Sequence, residues 1–462
     1  MRKRDSVALR TGAAIALMAC LSLSCSRGRK ESPTGTGPAT EAPVRTSGGE
    51  VRRIADSESG VGWSIAPKTD VAISEVLTQA GVKGKSDLIV VFYTAQHSSE
   101  AILSAIRARQ GESQRVIGMS SHEGILTAEG YHASPNGVVG ALSMNVPGMV
   151  IGVGGASLDE APGGQSARVA FRRAAEDAGM GKEKPSMVLL FANRGTEEAM
   201  LATLTEEIGP DVPLIGGTAA GRAADLAQKR DALAWSTIAN GRRMSTGAAV
   251  AAFYTKAPFA YAYGGGYNRV TTKKGTVTDA DPRIIRAIDG RPALDVYDEW
   301  LGGRPKAGLA RGEPLKAAWL VKKLEGGGVS HDQFIHVFTR DNAPGVLFAE
   351  ANMANGDVVY PAEGSWNILM NRFAVMPREA RKATNNMTPA VGIFIYCAGA
   401  LAAIPPDQRT NMSYLVGQAI GDMPWLGVFT WGEQGHVPGV GNLHGNLMSS
   451  TLLFPAQASA RN

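Results

Sequence analysis

Cysteine is nearly absent from this chain: there are three in 462 residues, and only Cys397 lies in the part that reads as folded. No internal disulfide framework is available, so the body must be held by its core, which a chain of this length permits. The seven histidines are scattered, without the Cys-x-x-Cys or His-x-x-x-His spacing that favours zinc. Gly216-Gly-Thr-Ala-Ala-Gly221 lacks the Lys-Ser/Thr pair of a phosphate loop, so nucleotide binding has no support and no cofactor is expected. A field of one sign is also missing. The formal charge is +5, but Arg2, Lys3, Arg4 and Arg10 against Asp5 supply +3 of it, leaving about +2 for the rest. That excludes a basic surface for nucleic acid.

Glycine is in excess, at 56 residues of 462, against the roughly 7% usual in proteins. Many tight turns and close backbone approaches follow, since glycine reaches positive φ without steric cost. The glycines recur inside a block that occurs three times: apolar strand, helix, second apolar strand, glycine-rich turn, third apolar strand. The first copy is Leu88-Ile-Val-Val-Phe-Tyr93, a helix over 99–109, Val116-Ile-Gly-Met-Ser-Ser-His-Glu-Gly124 and a strand over 137–144. The second is Met187-Val-Leu-Leu-Phe-Ala192, a helix over 196–208, Pro213-Leu-Ile-Gly-Gly-Thr-Ala-Ala-Gly221 and a strand over 247–254. The third is Val391-Gly-Ile-Phe-Ile-Tyr396, a helix over 411–420, Trp425-Leu-Gly-Val-Phe-Thr-Trp-Gly-Glu-Gln-Gly435 and a strand over 448–454.

Amphipathic helices over 71–80 and 169–178 introduce the first two copies. Met200, Leu201, Leu204 and Ile208 form one helical stripe, and each such helix is followed by a Val-Ile-Gly or Leu-Ile-Gly strand. Strand–helix–strand steps favour parallel pairing. The added third strand arrives without a helix, so the sheets are expected to be mixed. The fold class is therefore α/β, with mixed sheets built from three strand-helix-strand-turn-strand units in a two-domain body. Residues 254–267 are rich in breakers, which sets a boundary near 256 and domains over 61–255 and 256–455. Gly154-Gly155 and Gly264-Gly-Gly266 read as turns or hinges. Residues 270–279 read as a two-strand segment and 293–301 as a helix. The alternating runs at 334–339, 346–352 and 357–360 suggest an antiparallel meander.

The amino terminus has a basic segment over 1–10 and an apolar run over 11–23, too short to span about 30 Å of hydrocarbon. Residues 1–19 read as a signal peptide. Leu17-Met-Ala-Cys20 resembles a bacterial lipobox, with Cys20 the lipidated residue; Cys25 after Leu23-Ser is the alternative. Residues 20–60 then form a lipidated start and a tether rich in Pro, Gly, Ser and Thr. The expected location is the cell envelope, membrane-anchored and facing the periplasm or exterior.

Taken in order, three matches make this chain resemble the FIST family of bacterial sensory proteins. They are Val116-Ile-Gly-Met-Ser-Ser-His-Glu-Gly124, Val212-Pro-Leu-Ile-Gly-Gly-Thr-Ala-Ala-Gly221 and Leu426-Gly-Val-Phe-Thr-Trp-Gly-Glu-Gln-Gly435. Ile288-Asp-Gly-Arg-Pro-Ala-Leu-Asp-Val-Tyr297 resembles the opening of the family's C-terminal domain. The resemblance implies a ligand-sensing module, with amino acids or similar small metabolites as ligands and no established catalytic residues. Where the family tends to have an arginine after the strand-ending cysteine, this chain has Ala398-Gly-Ala400, and a contact to an acidic ligand is lost if that arginine makes one.

The candidate ligand contacts are the turn residues Ser120, Ser121, Glu123, Gly124, Gly217, Thr218, Cys397, Gly432, Glu433 and Gly435. Glu433 is placed to receive a ligand amine or to cap local N–H groups, and exposed turn amides suit an anion. Glu123 occupies the related spot in the first unit. The hydroxyls of Ser120, Ser121 and Thr218 either donate to a ligand or cap the turn. Trp425 and Trp431 read as core and pocket wall. The alternative is a thiol hydrolase or transferase in which His436 or His444 lowers the pKa of Cys397; against it stands the ordinary fate of a lone strand cysteine, inert burial. With no kinase, methyl-accepting or DNA-binding segment expected, a signal would pass to a separate partner, or the protein captures its ligand.

Overall fold

The computed structural model describes residues 59–221, 235–311, 315 and 318–455. The signal peptide, the lipidation site at Cys20 or Cys25 and almost all of the tether lie outside them. Among the described residues no helix is long and apolar enough to cross a membrane.

The three copies are larger than the repeat visible in the sequence. Unit 1 runs β1 Gly60–Ser64, α1 Thr69–Gln79, β2 Leu88–Tyr93, α2 Ser99–Gln110, β3 Val116–Ser120, β4 Ile125–Thr127, β5 Gly130–His132 and β6 Val139–Met144. Unit 2 runs β7 Met149–Ser157, α3 Gln165–Asp177, β8 Met187–Ala192, α4 Glu197–Ile208, β9 Leu214–Thr218, β10 Thr237–Ala239, β11 Arg242–Met244 and β12 Gly247–Thr255. Unit 3 opens with β13 Ala260–Gly265, is interrupted by an insertion, and resumes with α7 Trp366–Ala383 and β22 Pro389–Cys397. It then continues through α8 Ala398–Ala403, α9 Asn411–Ile420, β23 Trp425–Thr430, β24 Glu433–Val437, β25 Gly441–Gly445 and β26 Met448–Pro455.

The strand orders are β1-β6-β2-β3, β7-β12-β8-β9 and β13-β26-β22-β23, the same in all three units. In each, the pair joined by the crossover helix is parallel and the other pairs are antiparallel, so the sheets are mixed. The short hairpin after the turn never joins its own sheet. Hairpin β10–β11 of unit 2 extends sheet 1 beside β3, β24–β25 of unit 3 extends sheet 2 beside β9, and β4–β5 of unit 1 extends sheet 3 beside β23. The exchange is cyclic, and each sheet is completed to six strands by a neighbour's arm.

Continuous apolar strands make this arrangement possible because both of their faces are buried. Leu88, Val90 and Phe92 of β2 meet Met187, Leu189 and Phe191 of β8 and Val391, Ile393 and Ile395 of β22 in one central core. The alternate residues face outward onto helices: Ile89 and Val91 onto α1 and α2, Val188 and Leu190 onto α3 and α4, Phe394 and Tyr396 onto α7 and α9. Each such side chain stabilises by about 1.5–3 kcal/mol when fully buried.

The insertion adds β14 Asn268–Arg269, β15 Gly275–Asp281, β16 Ile284–Ile288, β17 Arg291–Pro292, α5 Ala293–Trp300, α6 Arg304–Ala310, β18 Ala318–Gly326, β19 Val329–Phe338, β20 Leu347–Ala349 and β21 Val358–Glu363. Strands β21-β15-β16-β20-β19-β18 follow one another, and β18 also pairs with β21, closing a ring of antiparallel strands. Val277, Ile285, Leu320, Ile335 and Val359 share its own core with Leu294 and Tyr297 of α5.

Four local readings change. Gly154-Gly155 lies inside β7 and not in a turn: a Cβ at Gly154 would stand 2.2 Å from the Ala170 carbonyl, so glycine there lets α3 press onto the strand. Gly264-Gly265 likewise closes strand β13, where Cβ atoms would meet Met376 and Phe334. Residues 270–279 contain one strand, β15, whose partner β16 lies beyond them. The expected meander fails at its last step, because β21 pairs with β15 and β18 and not with β20.

The exchange predicts that neither half folds alone. Fragments 1–256 and 257–462 expressed separately should lack a cooperative thermal transition, since sheets 2 and 3 each lose their completing hairpin, and mixing the two should restore it. A full cooperative melt by either fragment alone would sink the idea that the arms hold the body together.

Candidate functional site

Strands β3, β9 and β23 occupy the same place in their sheets and end at equivalent residues, with Ser120 opposite Tyr93, Thr218 opposite Ala192 and Thr430 opposite Cys397. Beyond these positions each chain turns into the next sheet. The turns bond to one another: Ala220 N–H donates to the Ser120 carbonyl at 3.0 Å, Trp431 N–H to Thr218 at 3.1 Å and His122 N–H to Phe429 at 2.9 Å. The three glycine turns singled out in the sequence therefore form one hub. Gly217 lies at its centre, where an added Cβ would stand 2.6 Å from Thr430 Cγ2, 2.9 Å from Ile395 Cγ2 and 3.2 Å from Met119 Cε.

Most candidate contacts are engaged within the hub. Ser120 Oγ accepts from Ser236 N–H at 3.2 Å. Ser121 Oγ donates to the Gly124 carbonyl at 2.5 Å and accepts from Phe429 N–H at 3.1 Å. Thr218 Oγ1 donates to Glu197 Oε1 at 3.2 Å and accepts from Gln434 Nε2 at 3.1 Å. Gly124, Gly432 and Gly435 are close approaches, to Tyr131, His444 and Tyr263 respectively.

The sequence places Glu433 in a glycine-bracketed turn, but it begins a strand, β24, that is buried throughout. Thr430 Oγ1 donates to Oε1 at 2.7 Å and Met448 N–H to Oε2 at 3.0 Å, with the Cys397 thiol alongside. Burial pushes its pKa up to about 8, against the lowering effect of those bonds, so the group is a neutral carboxylic acid near pH 7. It is no anion waiting for an amine. Glu123 is not its counterpart: the strand registers pair Ile125 with Val428, Gln434 with Gly216 and Ile238 with Gly118, which equates Glu433 with Gly124 and Thr237. Glu123 instead sits at φ +58° at the surface, 3.2 Å from Arg409 and 3.7 Å from His122.

The Cys–His pairing does not form. Cys397 Sγ accepts from Gly399 N–H at 3.3 Å, capping α8, and burial together with the Glu433 carboxyl pushes the thiol well above its ordinary value, opposite to activation. His436 Nδ1 bonds Asn442 at 2.8 Å, while His444 meets Gln434 at 3.1 Å and the Glu350 carbonyl at 3.3 Å.

Beside the hub, the N-terminus of α4 meets the unit 3 arm and the inserted ring. Glu197, Glu198 and His444 lie within 4.8 Å of one another, but Arg283 donates to both carboxylates at 2.7 Å, filling the place of a cation. Burial raises the Glu197 pKa, and His444 and Arg283 overcome it to hold the group below the usual carboxylate range. Next to it the Trp235 and Trp431 rings stand 4.4 Å apart, the Arg194 guanidinium lies 5.4 Å over Trp431, and Arg194 pairs with Glu350. Trp431 thus lines this junction, whereas Trp425 is fully buried core.

Family models match nearly the whole described body: the FIST N domain over residues 87–291 and the FIST C domain over 293–436. The chain belongs to the FIST family. FIST domains are associated with sensory signal transduction and small-ligand binding. No curated protein matches this FIST chain. Among solved structures, PurLQS from Thermotoga maritima aligns at 8% identity over 87% of this chain and 74% of that one. Its TM-score is 0.18, too slight a likeness to carry an argument.

In this FIST protein the hub unites turns from both family domains. Arg194, Glu197, Glu198, Trp235, Arg283 and Glu350 are not marked in the sequence because they reach the junction from separate loops and from the first turn of α4, without a shared motif. Arg283 is held at φ +64° in the β15–β16 turn, a conformation its residue type does not advertise.

Two measurements check the hub. Gly217→Val should destabilise by roughly 3 kcal/mol in denaturant melts, because three packed side chains must shift. Gly417→Ala, where an added Cβ meets open space within α9, should be neutral or stabilising by up to ~1 kcal/mol; equal effects would refute the central place of Gly217. The raised pKa of Glu433 means that its stabilising contribution is full below its unfolded value near 4.5 and lost as pH rises to about 8. Relative to Glu433→Gln, the wild type should lose a few kcal/mol between those limits. A pH-independent difference would show that Glu433 is not buried neutral.

Proposed function

We propose that this protein is a lipid-anchored, extracytoplasmic sensory protein that binds a small ligand of about amino-acid size between its two domains. The carrying observation is the hub, in which turns from the FIST N and FIST C regions are hydrogen-bonded to one another. A ligand bound across such a seam contacts both domains and so favours one arrangement of them over another, which is what a sensor requires. The location rests on the sequence, namely the basic and apolar segments before Leu17-Met-Ala-Cys20 and the linker after it. Output passes to a separate partner.

A thermal-shift screen of the full chain against amino acids and other small metabolites tests the binding. A ligand at 100 times its Kd adds about 2.7 kcal/mol, which raises the midpoint by several degrees in a protein of this size. The shift should vanish in Trp431→Ala. A flat screen of well-folded protein would overturn the reading. For the anchor, Cys20→Ala should release the protein from the membrane fraction; unchanged fractionation, with Cys25→Ala equally silent, would remove the lipoprotein assignment.

A further inference from the structure

Ser120, Ser121, Thr218, Thr430 and Glu433 have partners within the hub; three groups that lack them stand beside it. Among the described residues, Asn193 Oδ1, Thr196 Oγ1 and Trp235 Nε1 are buried atoms without a hydrogen bond. Asn193 is more than nine-tenths buried, and its Nδ2 reaches the Trp235 backbone carbonyl at 3.5 Å, which leaves Oδ1 at the other end of the amide unbonded beside this residue. Thr196 is the N-cap residue of α4, yet its hydroxyl caps nothing. Gly195 N–H bonds Glu197 Oε2 at 2.7 Å instead. The Trp235 ring lies against Trp431, brought there by Gly221, where any Cβ would strike Nε1 at 1.9 Å. Buried polar groups without partners cost free energy, and a cluster of them lined by aromatic faces is what a bound molecule would satisfy.

The electrostatics of the junction narrow what that molecule is. Its formal charges are already matched: Arg194 with Glu350, and Arg283 with Glu197 and Glu198. A charged ligand would have to compete with these pairings, and at Glu197, which is buried, that leaves a charge unpaired away from water, which is costly. The unmet groups are neutral dipoles, two of them able to accept from a ligand N–H and one an indole donor seeking a carbonyl. Indole faces favour stacking by a flat ring.

We propose that the ligand sits on Asn193, Thr196, Trp235 and Trp431, beside the hub and not within it, and that it is a neutral planar ring bearing both an N–H donor and a carbonyl acceptor. This rests on the ligand-binding reading above and narrows it away from charged or zwitterionic ligands.

Titration of the full chain with nicotinamide and with nicotinate, followed by tryptophan emission and calorimetry, tests it. The pair shares one ring and differs in a neutral amide against a carboxylate. Nicotinamide should bind saturably and at least tenfold more tightly than nicotinate. Asn193→Leu and Thr196→Val should each weaken it tenfold or more with unchanged melting behaviour. Nicotinate binding as tightly, or nicotinamide binding unaffected by both variants, would overturn the site and its ligand class. If neither probe binds while another metabolite shifts the melting point, this inference falls and the sensory reading stands. If nothing binds the folded protein, both fall.

Discussion

Three strand pairings hold this architecture: β4 on β23, β10 on β3 and β24 on β9. Without them β3, β9 and β23 would each present an open edge, and their backbone groups would need other partners. Because each hairpin comes from the neighbouring unit, the chain between strand and hairpin must cross the end of the central core. That crossing is what makes the glycine turns meet. The hub follows from the exchange, and the position of every candidate residue follows from the hub.

The chemistry at the hub is correspondingly inward. Three turns facing one another bring backbone donors and acceptors into a space without water, where each must be paired. Ser120, Ser121, Thr218, Thr430 and Gln434 supply that pairing. Glu433 does the same as a neutral acid, since no basic group is bonded to it among the described residues and burial disfavours its charge. Residue types that suit ligand recognition here serve to join three sheets.

A threefold repeat by itself would give three equal junctions. The insertion in unit 3 breaks the equality, because its ring lies against the α4 junction and brings Arg283, Glu350 and the Asn352 N–H, which donates to Glu198 at 2.6 Å. At the equivalent first positions of the three arms stand His122, Trp235 and Trp431, and the two indoles come together beside the same junction. One corner of a symmetric frame is thereby distinguished from the other two.

The sequence by itself determined the central strands and crossover helices of each unit. Runs such as Leu88–Tyr93 and Met187–Ala192 are long, apolar and bounded by breakers, and those are properties of neighbouring residues. It also determined which turns matter, because their glycines and hydroxyls recur at fixed offsets. Tertiary structure decided the rest. Whether Gly154 makes a turn or admits a helix depends on α3, and whether Glu433 carries a charge depends on its burial in the assembled core, which outweighs the hydrogen bonds from Thr430, Met448 and Cys397. The hairpins are short and their partners lie in other units, so no local periodicity records which sheet they join. Pairing between distant segments is settled by packing of the whole chain, and the junction beside α4 exists only once that packing is complete.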